Sequence, residues 1–585
     1  MFKNESNTNT NIKPSRASEP IIQTSIINFH DRTIAVPDCL IPHHNLDEYF
    51  GILKLKIRSE IPIIKDLHVH LNVDKSGSMS ERCSDGSSKM HHIQHTLENM
   101  LRIFHQKTES NISVHIKSFD SNIYTALETV EDIKSKTAEE LAQIISQIYT
   151  IVPSGSTNIE ETLISAATNL KKFSKDKNIA HILLTDGQIT DGKKNKTYLK
   201  SLIENDYPNI FLGYGLDHDN ILLESLASTG KHNEYRLIDN LEKAGLVYGE
   251  IIHQLLYTAV EDVTLKAENC EIYDYATNTW SNSLYIGHVV SEQEKTFHIR
   301  TTKTNARDSQ IAIYGRTIHK TKPEEVLTDE IVLQSHVVPL IMETIPCDLT
   351  NYLFRQRTQE LLFATKQMHR NIQYEKDIQD DKDVINDFEK YKHFYEIGER
   401  ESILSELESQ KRELKTKLKT KIQSFFKTML DYVEANQMKE NAFYKMLCDD
   451  MYIAIKSFEI ENGHMFAAAR HTSQGRQQSY TPRFTDEESQ QQPDFQQTTL
   501  KRCNTLLTPR QNPNQHLLTS MDDINPVIRG YTLSQTDTSP YTSTGQEKMM
   551  REVSINKNTN TNTNTNTNTN TNTNTNQTTS LLDSP

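Results

Sequence analysis

An aspartate and two serines alternate at the end of an early apolar run, in the segment Asp74-Lys-Ser-Gly-Ser78. Gly77 separates the hydroxyls of Ser76 and Ser78 and allows the sharp turn that would bring both oxygens and the aspartate to one point. Oxygen ligands of this kind suit Mg²⁺, which prefers octahedral geometry and keeps several waters. Taken alone, the pattern is weak, because the same residues also form common turns.

Two later segments carry further oxygen ligands. Thr157 lies in Pro153-Ser-Gly-Ser-Thr-Asn-Ile159, directly before a helical pattern, and Asp186 ends the apolar run that begins at Ile182. In a doubly wound sheet, the carboxyl ends of the strands meet the following loops at the crevice where the strand order reverses. The sequence therefore predicts one metal site, built from Asp74, Ser76, Ser78, Thr157 and Asp186.

The order of these segments resembles that of a von Willebrand factor type A (vWA) domain over residues of about 64 to 255. All positions of the family's metal-ion-dependent adhesion site (MIDAS) are matched without substitution, and Gly213-Tyr-Gly-Leu-Asp-His-Asp is similar to the family's last strand and helix. The resemblance implies that Ser76 and Ser78 bind Mg²⁺, or Mn²⁺, through their hydroxyls. It also implies that Thr157 binds directly or through water, and the two aspartates partly through water. An open coordination position would then accept a carboxylate from a partner protein.

The loop after the first motif departs from the family. It runs Glu81-Arg-Cys-Ser-Asp-Gly-Ser-Ser88 and is longer than the usual turn. Its acidic residues, Glu81 and Asp85, could compete as intramolecular metal ligands, or the segment could be a simple solvent loop.

Alternating apolar runs and amphipathic patterns predict the α/β unit that must position these residues. A capping box at Thr137 and Glu140 predicts the start of one of its helices. The predicted strands are 67–73, 112–119, 179–185 and 209–214.

The fold class predicted is α/β, a doubly wound and mostly parallel sheet with a flanking β-sandwich, a C-terminal helical segment and disordered tails. Short strand patterns on both sides of the α/β unit predict a sandwich assembled from both flanks, since each flank alone is too small for a core. The tail contains an unbroken Asn-Thr alternation that cannot offset its ordering entropy. The predicted parts are 1–20 disordered, 21–60 sandwich strands, 61–257 vWA domain, 258–345 β-sandwich, 346–465 helical, and 466–585 a disordered low-complexity tail with the repeat at 558–576.

A basic amphipathic stripe lies in the predicted helical region, from Lys411 to Lys421. Such a helix could lie on an anionic membrane or bind a calcium-sensor protein. The alternative is a solvated face on a helical hairpin, and a coiled coil is a further possibility for the region.

Charge and composition exclude several classes of protein. The 585 residues include 64 Lys and Arg against 78 Asp and Glu, a net charge of −14, which argues against a general nucleic-acid binder. No apolar run is long enough to span a membrane, and the scattered cysteines fit neither a disulfide framework nor a zinc site. The expected location is therefore intracellular, in the cytoplasm.

The sequence contains no GxSxG, GxxxxGK[ST] or HExxH motif, so no enzymatic activity is predicted. His91 and His95 could share a helix face and bind zinc, but no third ligand is apparent, and an exposed helix face is the preferred interpretation.

The function predicted is an adaptor that binds an acidic residue of a partner protein through Mg²⁺. One alternative is a non-catalytic component of a ubiquitin-ligase-like or other enzyme complex. It rests on a loose resemblance to intracellular vWA proteins with flanking sandwich and helical segments, among them plant RING-type proteins, although this chain has no RING spacing. The other alternative is a structural or assembly protein.

Overall fold

The computed structural model describes the greater part of the chain, and the predicted disordered stretch 1–20 and the Asn-Thr repeat 558–576 lie outside the described residues. The described residues are 22–31, 48–57, 66–83, 85–107, 111–173, 178–238, 244–291, 293–302, 304–305, 308–317, 331–337, 350–380, 397–439, 441–459, 463–477 and 544–554.

The strands of the described residues belong to three sheets. They are β1 (Ile22–Asp31), β2 (Glu48–Ile57), β3 (Leu67–Asp74), β4 (Ile112–Phe119), β5 (Ile123–Val130), β6 (Asn178–Thr185), β7 (Asn209–Tyr214), β8 (Glu234–Ile238), β9 (Thr258–Glu268), β10 (Glu271–Asp274), β11 (Thr279–Ser281), β12 (Ser283–Val290), β13 (Glu294–Thr302), β14 (Gln310–Thr317) and β15 (Ile331–Val337).

The helices fall between the strands of the α/β unit and after the sandwich. They are α1 (Lys89–Gln106), α2 (Ala138–Ile148), α3 (Ile159–Leu170), α4 (Lys196–Ser201), α5 (Asn220–Ala227), α6 (Ala244–Leu256), α7 (Thr350–Asp380), α8 (Ile397–Ala435), α9 (Ala442–Lys456), α10 (His464–Gln477) and α11 (Thr544–Ser554).

The central sheet has the order β5-β4-β3-β6-β7-β8, and only β5 runs antiparallel to its neighbour. Successive side chains of a strand point to opposite faces. Ile182 and Leu184 accordingly join a core with α1, α2 and α6, whereas Leu183 joins the core formed with α3, α4 and α5. The predicted doubly wound α/β fold is confirmed. The strand order reverses between β3 and β6, so the crevice lies where these two strands end.

The two antiparallel sheets have the orders β1-β2-β13-β10-β11 and β12-β9-β14-β15. Strand β2 precedes the α/β unit in sequence but pairs with β13, which follows it, with Leu53 opposite Phe297. Both side chains are buried against Val263 and Leu265 of the second sheet. The flanks of the α/β unit therefore share one hydrophobic core.

A helical layer follows the sandwich and buries its own core among α7, α8, α9 and α10. On α8, Ile422 and Phe425 are buried in this core, whereas Arg412 and Lys417 are exposed. Lys417 pairs with Glu413 one turn away at 2.6 Å. These basic side chains are thus exposed in the described part of α8, as each of the alternatives predicted for the stripe requires.

The prediction of a disordered tail from residue 466 onward needs correction at two places, α10 and α11. Both helices bury side chains, including Arg470 of α10 and Met550 of α11. Helix α11 packs closely on Gly249 of α6, and its Val553 carbonyl accepts a hydrogen bond from Asn99 of α1 at 2.7 Å. These helices were not predicted because their local sequence is polar. The contacts that stabilise them are made with residues distant in sequence.

None of the helices in the described ranges is long and apolar enough to cross a membrane.

Candidate metal centre

Asp74, the last residue of β3, is held at the carboxyl edge of the sheet. Its Oδ1 accepts a hydrogen bond from the backbone N–H of Ser76 at 2.8 Å, and its Oδ2 accepts one from the Thr185 hydroxyl at 2.6 Å. The side chain is 0% exposed. Burial raises the pKa of Asp74 to about 6 against the opposing effect of these hydrogen bonds, and the nearby charge of Asp186 adds to the rise.

The two serines join the ends of β3 and β6. The hydroxyls of Ser76 and Ser78 lie 3.1 Å apart, and Ser78 donates a hydrogen bond to Oδ1 of Asp186 at 2.6 Å. A short 3-10 helix, Gly77–Ser80, produces the turn that brings the hydroxyls to the same side. Residues more than a hundred positions apart in sequence are therefore in direct contact.

Thr157 approaches the same point from the loop before α3. Its backbone N–H donates to the Thr190 hydroxyl at 2.8 Å, and the residue is 3% exposed. A Cβ placed on Gly187 would lie 3.7 Å from the Thr157 hydroxyl and 3.9 Å from that of Ser78, so both hydroxyls border the same spot. The Thr157 hydroxyl makes no hydrogen bond to any residue within the described ranges.

The loop that carries Thr157 is fixed by a buried ion pair. The Lys75 ammonium lies 2.6 Å from Oδ2 of Asp120, and the Ser154 hydroxyl donates to the same oxygen at 2.9 Å. Gly155 has a φ of +72°, and its carbonyl accepts the backbone N–H of Gly77 at 3.1 Å. These contacts hold the loop that carries Thr157 against the turn that carries Ser76 and Ser78.

Lys89, the first residue of α1, contributes a charge that the sequence analysis missed. Its ammonium lies 2.7 Å from Oδ2 of Asp186 and 2.7 Å from Oε2 of Glu81. Burial works to lower the pKa of Lys89, but the hydrogen bonds to the two carboxylates outweigh it and raise that pKa. Both carboxylates therefore share one protonated lysine.

The long loop after the first motif does not direct both of its acidic residues to the centre. Glu81 binds Lys89, whereas Asp85 accepts the backbone N–H of Ser87 at 2.9 Å and lies 3.2 Å from Nε2 of His92. In the described segments, no group of three or more His, Cys, Asp or Glu side chains is arranged to hold a metal, so the zinc alternative has no support there.

The structure thus brings the predicted site residues to one edge of the sheet. Sequence reasoning missed Thr185, Lys89 and Asp120. The first had a usable signal, because it directly precedes Asp186 at the end of β6. Asp120 also had one, since it directly follows β4 as an aspartate follows β6.

The donor set fits a hard divalent cation. It consists of hydroxyl and carboxylate oxygens with two formal negative charges, and the Thr157 hydroxyl has no hydrogen-bond partner among the described residues. Hydroxyl and carboxylate oxygens are the ligands that Mg²⁺ and Mn²⁺ prefer. The residues that could hold the ion are Asp74, Ser76, Ser78, Thr157 and Asp186.

The family model of the von Willebrand factor type A domain matches residues 83–233. The chain therefore contains a vWA domain. The match begins after the first motif, so it includes Thr157 and Asp186 but not Asp74 or the two serines.

Among curated proteins, the chain is 26% identical over 201 residues to inter-alpha-trypsin inhibitor heavy chain H2 of Mesocricetus auratus. That match covers 32% of this chain and only 21% of the relative, about a fifth of its length.

A comparison with solved structures matches the chain to a von Willebrand factor type A protein from Catenulispora acidiphila, at a TM-score of 0.40 and 11% identity, covering 61% of this chain and 83% of that one. Another is proximal thread matrix protein 1 of the mussel byssus, with zinc in its MIDAS motif, at a TM-score of 0.27 and 17% identity, covering 34% and 51%.

Proposed function

We propose that the vWA domain of this chain is a metal-dependent protein-interaction module whose MIDAS binds Mg²⁺ and, through it, an acidic side chain of a partner protein. Proteins with vWA domains are commonly interaction modules rather than enzymes, and we propose a non-catalytic role here as well.

One observation carries the proposal. Oxygens of Ser76, Ser78 and Asp186 lie in succession, with contacts of 3.1 and 2.6 Å. The Thr157 hydroxyl, which makes no hydrogen bond to a described residue, borders the same spot beside Gly187. A bound cation would pair the threonine hydroxyl and would relieve the repulsion between the two buried carboxylates.

The hydrogen bonds suggest a different role for each residue. Both oxygens of Asp74 already accept hydrogen bonds, so this side chain would hold a metal-bound water and orient the serine turn. The hydroxyls of Ser76, Ser78 and Thr157 would face the ion directly. Once bound, Mg²⁺ would supply a concentrated positive charge that attracts a carboxylate.

The local charge also explains how an acidic chain could bind an acidic group. The net charge of −14 disfavours a distant negative partner, but exposed charges are screened beyond about 10 Å at ordinary ionic strength. The contact would therefore depend on the ion and on Lys89, which lies beside it.

The first test measures metal binding by the full chain. Thr157→Ala removes a hydroxyl that makes no hydrogen bond to a described residue, so we expect a weaker Mn²⁺ affinity with little loss of folding. Thr150→Ala, at an exposed threonine of the same loop, is the matched control. Isothermal titration calorimetry with Mn²⁺ reports both; equal affinities would reject the assigned site.

The second test addresses the partner and follows only if the metal binds. Proteins retained by the wild-type chain in Mg²⁺ are compared with those retained in chelator and by Thr157→Ala. We expect a set of partners that is lost in both cases, and that is weakened when acidic residues of an identified partner are replaced. An unchanged set would reject carboxylate capture while leaving the metal site intact.

A further inference from the structure

A cavity of about 480 Å³ lies where the α/β unit, the sandwich and the helical layer meet. It borders Ile210 near the start of β7 and Glu234 at the start of β8. The metal centre lies at the opposite, carboxyl ends of the same parallel sheet. Cavities of about 300–1,000 Å³ are typical of small-molecule sites.

Lys295 is a buried cationic residue that lines this cavity. It lies on β13, on the same side of the strand as Phe297, and faces the edge of the sandwich core. The residue is 4% exposed and forms no hydrogen bond or ion pair with any residue in the described parts of the chain. Burial lowers the pKa of Lys295 to about 8, although Glu234 opposes this shift, so the side chain is still mostly charged at neutral pH.

The acidic groups around the cavity already have cationic partners. Glu234 binds Arg236 at 2.8 Å and also accepts a hydrogen bond from Gln254 at 2.7 Å. Glu224 lies 3.4 Å from the Lys366 ammonium. Glu234 therefore acts on Lys295 only through space, and neither Glu224 nor Glu234 forms an ion pair with it.

A buried charge without a partner is costly, and the cost falls when an anion supplies the missing contact. One part of the wall is apolar and includes Leu255, Leu284 and Phe297. The rest is polar, and its Lys366 and Arg476 already pair with Glu224 and Glu250. The apolar part suits a hydrocarbon body next to the Lys295 ammonium.

We propose that this cavity binds a small organic anion, with a carboxylate placed on the Lys295 ammonium and an apolar body packed against Leu255, Leu284 and Phe297. The site is separate from the metal centre and does not depend on metal binding. The ligand class follows from a buried ammonium that forms no hydrogen bond or ion pair with a described residue and from the apolar part of the wall beside it.

The test uses the full chain with octanoate as the probe, and 1-octanol as the uncharged analogue of equal length. We expect octanoate to bind by isothermal titration calorimetry and to raise the melting temperature, and octanol to bind more weakly. Lys295→Met keeps most of the side-chain volume and removes the charge. It should weaken octanoate binding at least about tenfold, as expected for the loss of one partner of a buried charge pair.

Lys231→Met is the matched control, because Lys231 also lines the cavity but is exposed. It should keep octanoate affinity within about twofold, since exposed ion pairs contribute little. Lys295→Met should fold at least as stably as the wild type without ligand, because a buried unpaired charge is removed. Equal octanoate binding by Lys295→Met and wild type, equal binding of octanol, or no binding of octanoate to the wild type would each overturn the proposal.

Discussion

Lys89 places a positive charge next to a proposed metal ligand, 2.7 Å from Oδ2 of Asp186. A divalent cation at the centre would have to work against this charge. We predict that Lys89→Met tightens Mn²⁺ binding roughly fivefold, which corresponds to a repulsion of about 1 kcal/mol at a partly exposed site. Titration calorimetry measures the change.

Lys193→Met is the control for that experiment, because Lys193 pairs with Glu160 on the surface at 3.3 Å. It should leave the Mn²⁺ affinity unchanged. Weaker binding by Lys89→Met would mean that the lysine orders Asp186 for the metal rather than competing with it.

A comparison of Gly155 and Gly86 distinguishes the cost of a steric conflict from the cost of an unfavourable backbone conformation near the metal centre. Both have positive φ values, +72° and +86°, which residues with a side chain rarely adopt. A Cβ on Gly155 would lie 3.0 Å from Cβ and Cγ of Asp120, whereas nothing lies within 4 Å of one on Gly86.

We therefore predict that Gly155→Ala lowers the free energy of unfolding by about 2–4 kcal/mol and weakens Mn²⁺ binding, because the Thr157 loop must shift. Gly86→Ala should cost only about 1 kcal/mol, from its backbone conformation. Urea denaturation gives both values. Similar losses in the two variants would show that the contact with Asp120 is not tight.

At the scale of the elements, a row of histidines crosses the central sheet. His70 of β3 is in register with His115 of β4 and His181 of β6, and its ring lies 5.0 Å and 5.9 Å from theirs. Neither ring nitrogen of His70 has a hydrogen-bond partner among the described residues. Burial, reinforced by the neighbouring histidines and Lys117, lowers the pKa of His70 to about 2. Burial also lowers the pKa of His181 to about 4.

These histidines stay neutral in the folded sheet but take up protons in the unfolded chain below about pH 6.5. Stability is therefore complete above pH 6.5 and falls as the pH drops toward the folded pKa values. We predict that His70→Leu reduces the stability lost between pH 7.5 and 4.5 by about 2–3 kcal/mol. Urea denaturation at both pH values tests this.

His91→Leu, at an exposed histidine of α1, is the matched control. This variant should lose as much stability between pH 7.5 and 4.5 as the wild type does. If His70→Leu loses as much stability as the wild type over this pH range, the buried His70 is not a cause of the acid sensitivity.

At the scale of the whole molecule, a buried carboxylate joins the α/β unit to the helical layer. Glu250 of α6 is 0% exposed and lies 3.1 Å from Nη1 of Arg236 on β8. It also accepts a hydrogen bond from Nη2 of Arg476 on α10 at 2.9 Å. Arginines from two different layers, the α/β unit and the helical layer, thus contact the same carboxylate.

We predict that Glu250→Gln lowers the free energy of unfolding by about 3–5 kcal/mol, because the buried guanidinium of Arg236 and the partly buried one of Arg476 both lose a charged partner. The control is Glu271→Gln, which breaks a partly exposed pair with Arg300 at 2.7 Å and should cost less than about 1 kcal/mol. Thermal and urea unfolding of the full chain compare the two. Equal small losses would show that the interface between the layers does not depend on this carboxylate.

Much of the α/β unit was predictable because its signals are local. The strand predicted at 112–119 coincides with β4, and the capping box of Thr137 and Glu140 opens α2 with both of its hydrogen bonds. Strand β5 was missed because its burial is partial and its alternation weak. Lys89 was missed because its partner, Asp186, is 97 positions away.

The sequence by itself determined which oxygen-bearing residues end the strands and the order in which they follow one another. The periodicity of apolar residues determines strands and helices, and the parallel topology then limits where the strand ends can meet. That reasoning reached Asp74, Ser76, Ser78, Thr157 and Asp186.

Only the tertiary structure decided the contacts between segments distant in the chain. It brought Lys89 to Asp186, buried Lys295 with no ion-pair partner among the described residues, and packed α11 against α6 and α1. Such contacts leave no periodic signal in the sequence. Each depends on how two elements pack together, and the separation of the elements along the chain does not reveal their distance in space.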